Sequence, residues 1–261
     1  MSALPISVRA RDASLRIAPV AIPVALLFGL WQLTADVLVS QMNLLPAPTA
    51  VARQLWVDRS LYPGAVEATA RNAALGYLWG TLIAIVLAVL FVQIPLVEGV
   101  LTNVAVFAYS MPIIALGPIL QIVLGENSSK VAIAALLVFF PTLIAALIGL
   151  RSADASSLDI VSAYGGGSIA RLLRVRVWAA LPSLLAGLRI AAPTAVLGAI
   201  IGEYFGAEQG LGVAMVNAQA TLDANRTWGI AVVATALSGA AYACVYLAGR
   251  LLVPWEQEVR L

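Results

Sequence analysis

The sequence contains no histidine, one cysteine and very few charged residues. Only 11% of its 261 residues are charged, 62% are hydrophobic, and the mean hydropathy is +0.97. Soluble domains have about a quarter of their residues charged, so this chain has too little charge to cover a surface that faces water. We therefore expect an integral membrane protein, with no room for a sizeable soluble domain beside the membrane domain.

These absences also limit the chemistry. Without histidine, catalysis by imidazole, metal binding by imidazole and the usual pH switch are excluded. The single cysteine, Cys244, excludes an intramolecular disulfide. The single lysine, Lys130, does not stand in a G-x-x-x-x-G-K-[ST] motif, so no ATP-binding loop is present. We expect no catalytic residue, cofactor site or metal site in this chain. The scattered net charge of +2 gives no reason to expect a nucleic-acid partner.

Long apolar windows dominate what is present. A backbone in lipid must satisfy its own hydrogen bonds, so continuous windows of this length predict helices and not the short alternating segments of a barrel. The windows are Ile17–Val39, Ala74–Pro95, Val100–Leu124, Val131–Leu150, Leu181–Phe205 and Trp228–Val253. They predict an all-α polytopic membrane protein with about six transmembrane helices.

The basic residues favour one orientation, because cytoplasmic loops are enriched in Arg and Lys. With the N-terminus inside, the inner segments carry Arg9, Arg11, Arg16, Arg151, Arg171, Arg174, Arg176, Arg250 and Arg260, and the outer segments carry Arg53, Arg59, Arg71, Lys130 and Arg226. Arg189, near the end of a span, is counted on neither side. The bias predicts that both termini are cytoplasmic. We expect the spans to lack basic residues, which argues against a permanent anion site among them.

The inner segment 151–180 is the most organised loop. Ser156 and Asp159 have the spacing of a capping box at a helix start, and Gly165–Gly167 free the backbone to reverse direction. An apolar face follows the cap, formed by Leu158, Ile160, Val161 and Tyr164. Leu181-Pro182 indicates re-entry into the bilayer. Such a short amphipathic helix suits either docking of another protein or a position on lipid headgroups, and the residues alone leave both open.

The spacing of this loop resembles the cytoplasmic "EAA" loop of binding-protein-dependent ABC transporter permeases. In that family an E-A-A triplet comes six residues before a glycine, and Leu-Pro follows the glycine; here Asp159-Ile160-Val161, Gly165 and Leu181-Pro182 hold those places. Three further segments are similar to motifs of the nitrate, sulfonate and taurine branch of this family. They are LLPAPTAV at 44–51, LPSLLAGLRIAAPTAVLGAIIGEYFG at 181–206 and GLGVAMVNAQ at 210–219. The departures are Asp-Ile-Val for Glu-Ala-Ala, Trp178 where proline is common, and a triple glycine.

The resemblance covers about residues 40–255 and implies a single permease domain over 1–261. Residues 1–39 would form an N-terminal segment and the first span, and 40–255 the core with the coupling loop 151–180. The implied residues for coupling to an ATPase are Ser156, Leu158, Asp159, Ile160, Val161, Tyr164, Gly165, Leu181 and Pro182.

The resemblance also implies partners in a bacterial inner membrane. They are two copies of an ATP-binding subunit, a second permease that is identical or paralogous, and an extracytoplasmic solute-binding protein, besides membrane lipid. ATP and Mg would be bound by the ATPase partner, and the solute would be sulfonate-, nitrate- or taurine-like, or like a vitamin precursor.

Candidate residues for the solute pathway are few. Asn103, Ser110 and Gln121 fall close to one helical stripe, with Tyr109 beside it, and this stripe suits either a polar pathway or hydrogen bonds between helices. Glu203 stands among apolar residues and is a functional candidate by default, or else an acid paired with Arg226 or another neighbour. The alternatives in function are a secondary transporter or channel that works without ATP, and an intramembrane enzyme. The first would need paired ionisable groups in mid-membrane, and the second a general base.

Overall fold

A computed structural model describes residues 6–37, 45–94 and 112–253, and the regular structure in these ranges is helical. The helices are α1 Ile6–Val37, α2 Pro48–Val57, α3 Tyr62–Gln93, α4 Ile113–Leu124, α5 Glu126–Arg151, α6 Ala155–Ala163, α7 Ser168–Tyr204, α8 Leu211–Ala220 and α9 Ala224–Leu252. A π-helical turn, Leu172–Arg176, lies inside α7. The chain forms two compact units, one of residues 1–60 and 218–229 and one of residues 61–217 and 230–261.

Four of these helices are long and apolar enough to cross a membrane: α3, α5, α7 and most of α9. They confirm four of the six windows as helices of spanning length. In α1 the apolar stretch of the described side chains is Ile22–Val37, and in α4 it is Ala115–Leu124. The rest of the third window lies outside the described residues. The all-α polytopic class is thus confirmed.

Two boundaries differ from the prediction and move basic residues into helices. The helix α3 begins at Tyr62, so Arg71 lies within it, and α5 begins at Glu126, so Lys130 lies in its first turns and not in a loop. Hydropathy windows miss these starts because the first turns are polar, although their backbone is already helical. The expectation that the spanning helices lack basic residues is therefore wrong.

In the smaller unit, the short helix α2 packs on α1. Pro48 occupies the start of α2, where its missing N–H costs nothing. The indole of Trp31 donates to the Pro46 carbonyl at 3.2 Å. Arg226 donates two hydrogen bonds of 2.8 Å to the Asp58 carboxylate, and the guanidinium holds the pKa of Asp58 below its ordinary value.

In the larger unit, α3, α5 and α7 pack through small side chains. One core cluster consists of Ala73, Ala134, Val138, Ala191, Ala195, Val196 and Ala199. Gly198 lets α7 approach α5 so closely that a Cβ added there would lie 2.6 Å from the Cα of Ala134. Because lipid is as apolar as a leucine side chain, helices in membranes associate mainly through such close contacts.

The contact at Gly198 generates a stability prediction. We expect Gly198→Ala to force α7 away from α5 and to cost about 1–3 kcal/mol. Gly239→Ala is the matched control in α9, where an added Cβ meets no atom within 4 Å and alanine favours the helix. Thermal unfolding of the purified chain checks both variants. Equal midpoints for the two would contradict the proposed role of Gly198.

Candidate coupling helix and buried carboxylate site

An aspartate side chain caps the start of helix α6. Asp154 is its N-cap, and the carboxylate accepts hydrogen bonds from the amide of Ser157 at 3.1 Å and from its hydroxyl at 3.2 Å. The predicted capping box of Ser156 and Asp159 is therefore wrong, because the helix already starts at Ala155. Hydrogen bonds from the Ser156 hydroxyl and the Ser157 amide hold the pKa of Asp154 below its ordinary value.

The end of α6 explains the glycine at position 165. The amide of Gly166 donates to the Val161 carbonyl at 2.8 Å, and that of Gly165 to the Ser162 carbonyl at 2.9 Å. This pair of bonds is a Schellman motif, which needs a left-handed residue after the C-cap. Gly165 has φ +78° and fills that place without the steric cost of a side chain.

The surface of α6 and the turn after it is apolar but exposed. Ile160 is 59% exposed, Tyr164 89% and Ile169 68%, and none of the residues of α6 is buried. Asp159 is exposed as well, beside this apolar surface. Large apolar side chains in such a position indicate a surface that another molecule covers.

Two contacts at the start of α7, just after α6, join this segment to the ends of α3 and α5. The Ser168 hydroxyl donates to the side-chain carbonyl of Gln93, at the end of α3, at 2.5 Å. Arg176, in the π-helical turn, donates to the Leu150 carbonyl at the end of α5 at 3.0 Å. The start of α7, which follows α6 in the chain, is therefore fastened to the ends of α3 and α5.

Leu181 and Pro182 do not form a break in the chain. Both are half-buried inside α7, which continues without interruption from Ser168 to Tyr204. That Leu181-Pro182 indicates re-entry into the bilayer stays a prediction. The helix runs through the pair without a break, since a proline in a membrane helix is tolerated when neighbours cover the freed carbonyl.

Glu203, near the end of α7, lies at the centre of a buried polar network. Its side chain is 1% exposed. One carboxylate oxygen accepts from the Thr69 hydroxyl at 2.9 Å and from the Gly212 amide at 3.0 Å, and the other accepts from the Asn72 amide at 3.1 Å. The Thr69 hydroxyl in turn accepts from the amide of Leu211 at 2.9 Å. The carboxylate thus caps the start of α8 and fastens it to α3.

The glycines around Glu203 make room for this network. A Cβ at Gly210 would meet the Glu203 carboxylate, and Gly210 has φ +137°. A Cβ at Gly212 would lie 2.7 Å from the Cβ of Glu203. The G-L-G motif at 210–212 therefore lets the backbone pass directly against the buried carboxylate of Glu203.

Of the other four pathway candidates, one lies within the described residues. Gln121 is half-buried in α4, and its side-chain amide packs against the backbone of Gly206. Asn103, Tyr109 and Ser110 lie outside the described residues, so the predicted stripe stays a prediction.

The sequence analysis assigned no role to three polar residues of the spanning helices, and it wrongly placed one of them, Arg189, near the end of a span. Thr69 and Asn72 bind Glu203, and their spacing of three residues on α3 was the available signal. Arg189 lies well inside α7, and its guanidinium stacks over the ring of Tyr246 at 5.1 Å. Gly249 packs against this guanidinium, since a Cβ there would lie 3.1 Å from the Nη2 atom.

Comparison with known proteins decides the family. The sequence profile of the family described as binding-protein-dependent transport system inner membrane component matches residues 77–257. The chain belongs to this family. The matched range includes most of α3, the whole of α6 and Glu203.

Curated relatives agree with this assignment. A probable ABC transporter permease protein of Haemophilus influenzae is 30% identical, over 82% of this chain and 88% of its own. The formylaminopyrimidine transport permease protein ThiX of Halalkalibacterium halodurans is 29% identical, over 89% and 94%. The putative aliphatic sulfonates transport permease protein SsuC of Bacillus subtilis is 24% identical, over 90% and 86%. This permease is thus the membrane subunit of an ABC importer, and an ATP-independent transporter is not favoured.

The Glu203 network of the permease generates a second prediction. Glu203→Leu leaves the donors of Thr69, Asn72 and Gly212 without an acceptor, and we expect a loss of roughly 3 kcal/mol or more in stability. In Glu203→Gln the amide oxygen can still accept from Thr69 and Gly212, and the Asn72 amide can turn its oxygen towards the new donor. We expect less than half the loss of the leucine variant, measured by thermal unfolding. A leucine variant as stable as the wild type would contradict the network's structural role.

Proposed function

We infer that α6 is the coupling helix of this permease and docks on an ATP-hydrolysing subunit. The observation that carries the proposal is the capped helix between α5 and α7, in which no residue is buried and where the large apolar side chains of Ile160 and of Tyr164, at the helix end, are exposed. The coupling residues are those of the sequence prediction: Ser156, Leu158, Asp159, Ile160, Val161, Tyr164, Gly165, Leu181 and Pro182. ATP and Mg are bound by the partner, in which hydrolysis takes place.

The transmission of movement follows from the contacts of α6. When the ATPase moves, α6 moves as one piece because Asp154 caps its start and the Schellman motif fixes its end. Ser168 and Arg176 pass the displacement to α3, α5 and α7. The nucleotide state thus biases two packings of the same helices, which is alternating access.

The surrounding assembly contains two ATPase copies and a second permease, identical or paralogous. An extracytoplasmic binding protein delivers the solute, and both termini are cytoplasmic, as the distribution of basic residues indicates. The spans of the two permeases enclose the pathway, to which Gln121 and Glu203 are the described candidates.

The solute is a small molecule or anion of the kind carried by the similar permeases. Their names give formylaminopyrimidine and aliphatic sulfonates as their solutes. The binding protein makes most of the selection among such solutes.

The conformation of Gly165 supplies the test of the coupling role. A β-branched residue at φ +78° is strained by about 1–2 kcal/mol, so we expect Gly165→Val to distort the end of α6 and to weaken retention of the ATPase about tenfold. Gly165→Asn should retain it, because asparagine tolerates the left-handed conformation. The measurement is the amount and activity of ATPase that co-purifies with each permease variant.

Gly167→Val is the matched control. Gly167 has φ −77° and ψ −171°, an extended conformation, and a Cβ there meets no atom within 4 Å. We expect normal ATPase retention. If both valine variants retained the ATPase equally, the docking role of α6 would be wrong.

A further inference from the structure

A polar cavity of about 500 Å³ lies between α3, the start of α5 and the segment before α8. We call it the cup and define it by its six polar residues, Arg71, Asn72, Asn127, Lys130, Glu208 and Gln209. Asn72 and Lys130 are buried and form its floor, and the other four are exposed and form its rim. Asn72 also belongs to the Glu203 network. The other five residues of the cup belong neither to that network, nor to the coupling helix, nor to the pathway candidates.

The floor of the cup holds the chain's single lysine. Lys130 is 6% exposed, although lysine is almost never buried without a close partner. Its nearest ion-pair partner is Glu126, with 4.0 Å between the ammonium nitrogen and the carboxylate oxygen, and Glu126 is itself half exposed to solvent. Glu203 attracts Lys130 electrostatically, but its oxygens already accept from Thr69, Asn72 and Gly212. The positive charge of Lys130 is therefore only partly compensated.

Close packing is what keeps this charge out of water. A Cβ at Gly202 would lie 2.6 Å from the Cα of Lys130, so α7 passes directly against the backbone that carries the lysine. A buried, poorly paired ammonium group costs free energy, and an anion from outside would lower that cost.

The rim adds donors that point to the same chemistry. Within the described ranges, the side chains of Arg71, Asn127 and Gln209 form no hydrogen bond. The first turn of α5 adds free backbone amides, because its N-cap is Gly125, which has no side chain. Against these donors the lining offers one carboxylate, that of Glu208. Among the residues that line the cup, two cations therefore face one acid.

We propose that the cup binds the anionic group of a small solute, such as a sulfonate, a phosphate or a carboxylate. Lys130 supplies the buried charge, Arg71 a guanidinium suited to two oxygens at once, and Asn127 and Gln209 neutral donors. The proposal rests on the proposed function only in placing the cup on the outer side, where solute arrives.

The test is anion binding by the full chain in complex with its ATPase. The probes are methanesulfonate and inorganic phosphate, with chloride at equal ionic strength as the blank, in nanodiscs of phosphatidylcholine. A bound anion stabilises the folded state, so we expect a saturable rise in the unfolding temperature. Lys130→Met should weaken the apparent affinity at least about tenfold, since it removes a charge-assisted contact.

Glu126→Gln is the control that separates binding from a structural ion pair. It removes the partner of Lys130 but no residue of the cup, so we expect the anion affinity to stay equal or to rise. If Glu126→Gln and Lys130→Met lost binding alike, or if neither probe bound saturably, the proposal would be overturned. Binding that needed phosphatidylglycerol in the nanodisc would identify a lipid headgroup site and overturn the solute proposal.

A second pair of variants keeps the test valid if Lys130→Met fails to fold. Arg71→Gln and Gln209→Leu change exposed rim residues, and we expect each to weaken binding several-fold while the chain stays monodisperse. Unchanged affinity in both would count against the cup. All variants should retain the ATPase, so loss of anion binding with normal ATPase retention refutes this inference alone.

Discussion

Helices in a hydrocarbon environment gain little from burying apolar surface, and their association therefore depends on close van der Waals packing. In this permease the packing is achieved by alanine and glycine. The alanine-rich cluster of α3, α5 and α7 and the contact of Gly198 with Ala134 bring backbones together. The other features follow from that proximity. The close approach of α7 to α5 buries Lys130 against Gly202. Because α3 packs in the same unit, Glu203 can accept hydrogen bonds from Thr69 and Asn72.

The same constraint separates two kinds of polar residue. Glu203 has its hydrogen bonds satisfied within the bundle, so it fastens helices and costs little to bury. Lys130 and the rim of the cup are incompletely satisfied and so suit a ligand. At α6 the exposed groups are instead apolar, since the side chains of Ile160 and Tyr164 are exposed. These features are the basis on which we propose an anion as the ligand of the cup and a protein as the partner of α6.

Much of this fold could be predicted from the sequence, because hydropathy gives spanning helices directly. The turn at Gly165 was predictable as well, since a left-handed helix end is usually occupied by glycine. Helix starts were not, because the first turns of α3 and α5 are polar, and this hid Arg71 and Lys130 in supposed loops. Two partners of Glu203, Thr69 and Asn72, lie more than 130 residues away along the chain, so their three-residue spacing on α3 did not by itself connect them to Glu203. The N-cap was misassigned because Asp154 and Ser156 both suit that position.

The central claim is that this chain is a permease driven by a separate ATPase that docks on α6. The most direct measurement is purification of the tagged chain from its native host in mild detergent, with mass spectrometry of the proteins that accompany it. We expect an ATPase with a G-x-x-x-x-G-K-[ST] motif, together with a second permease copy or a paralogue. A chain that purifies alone, and that moves solute into vesicles without ATP, would contradict the account.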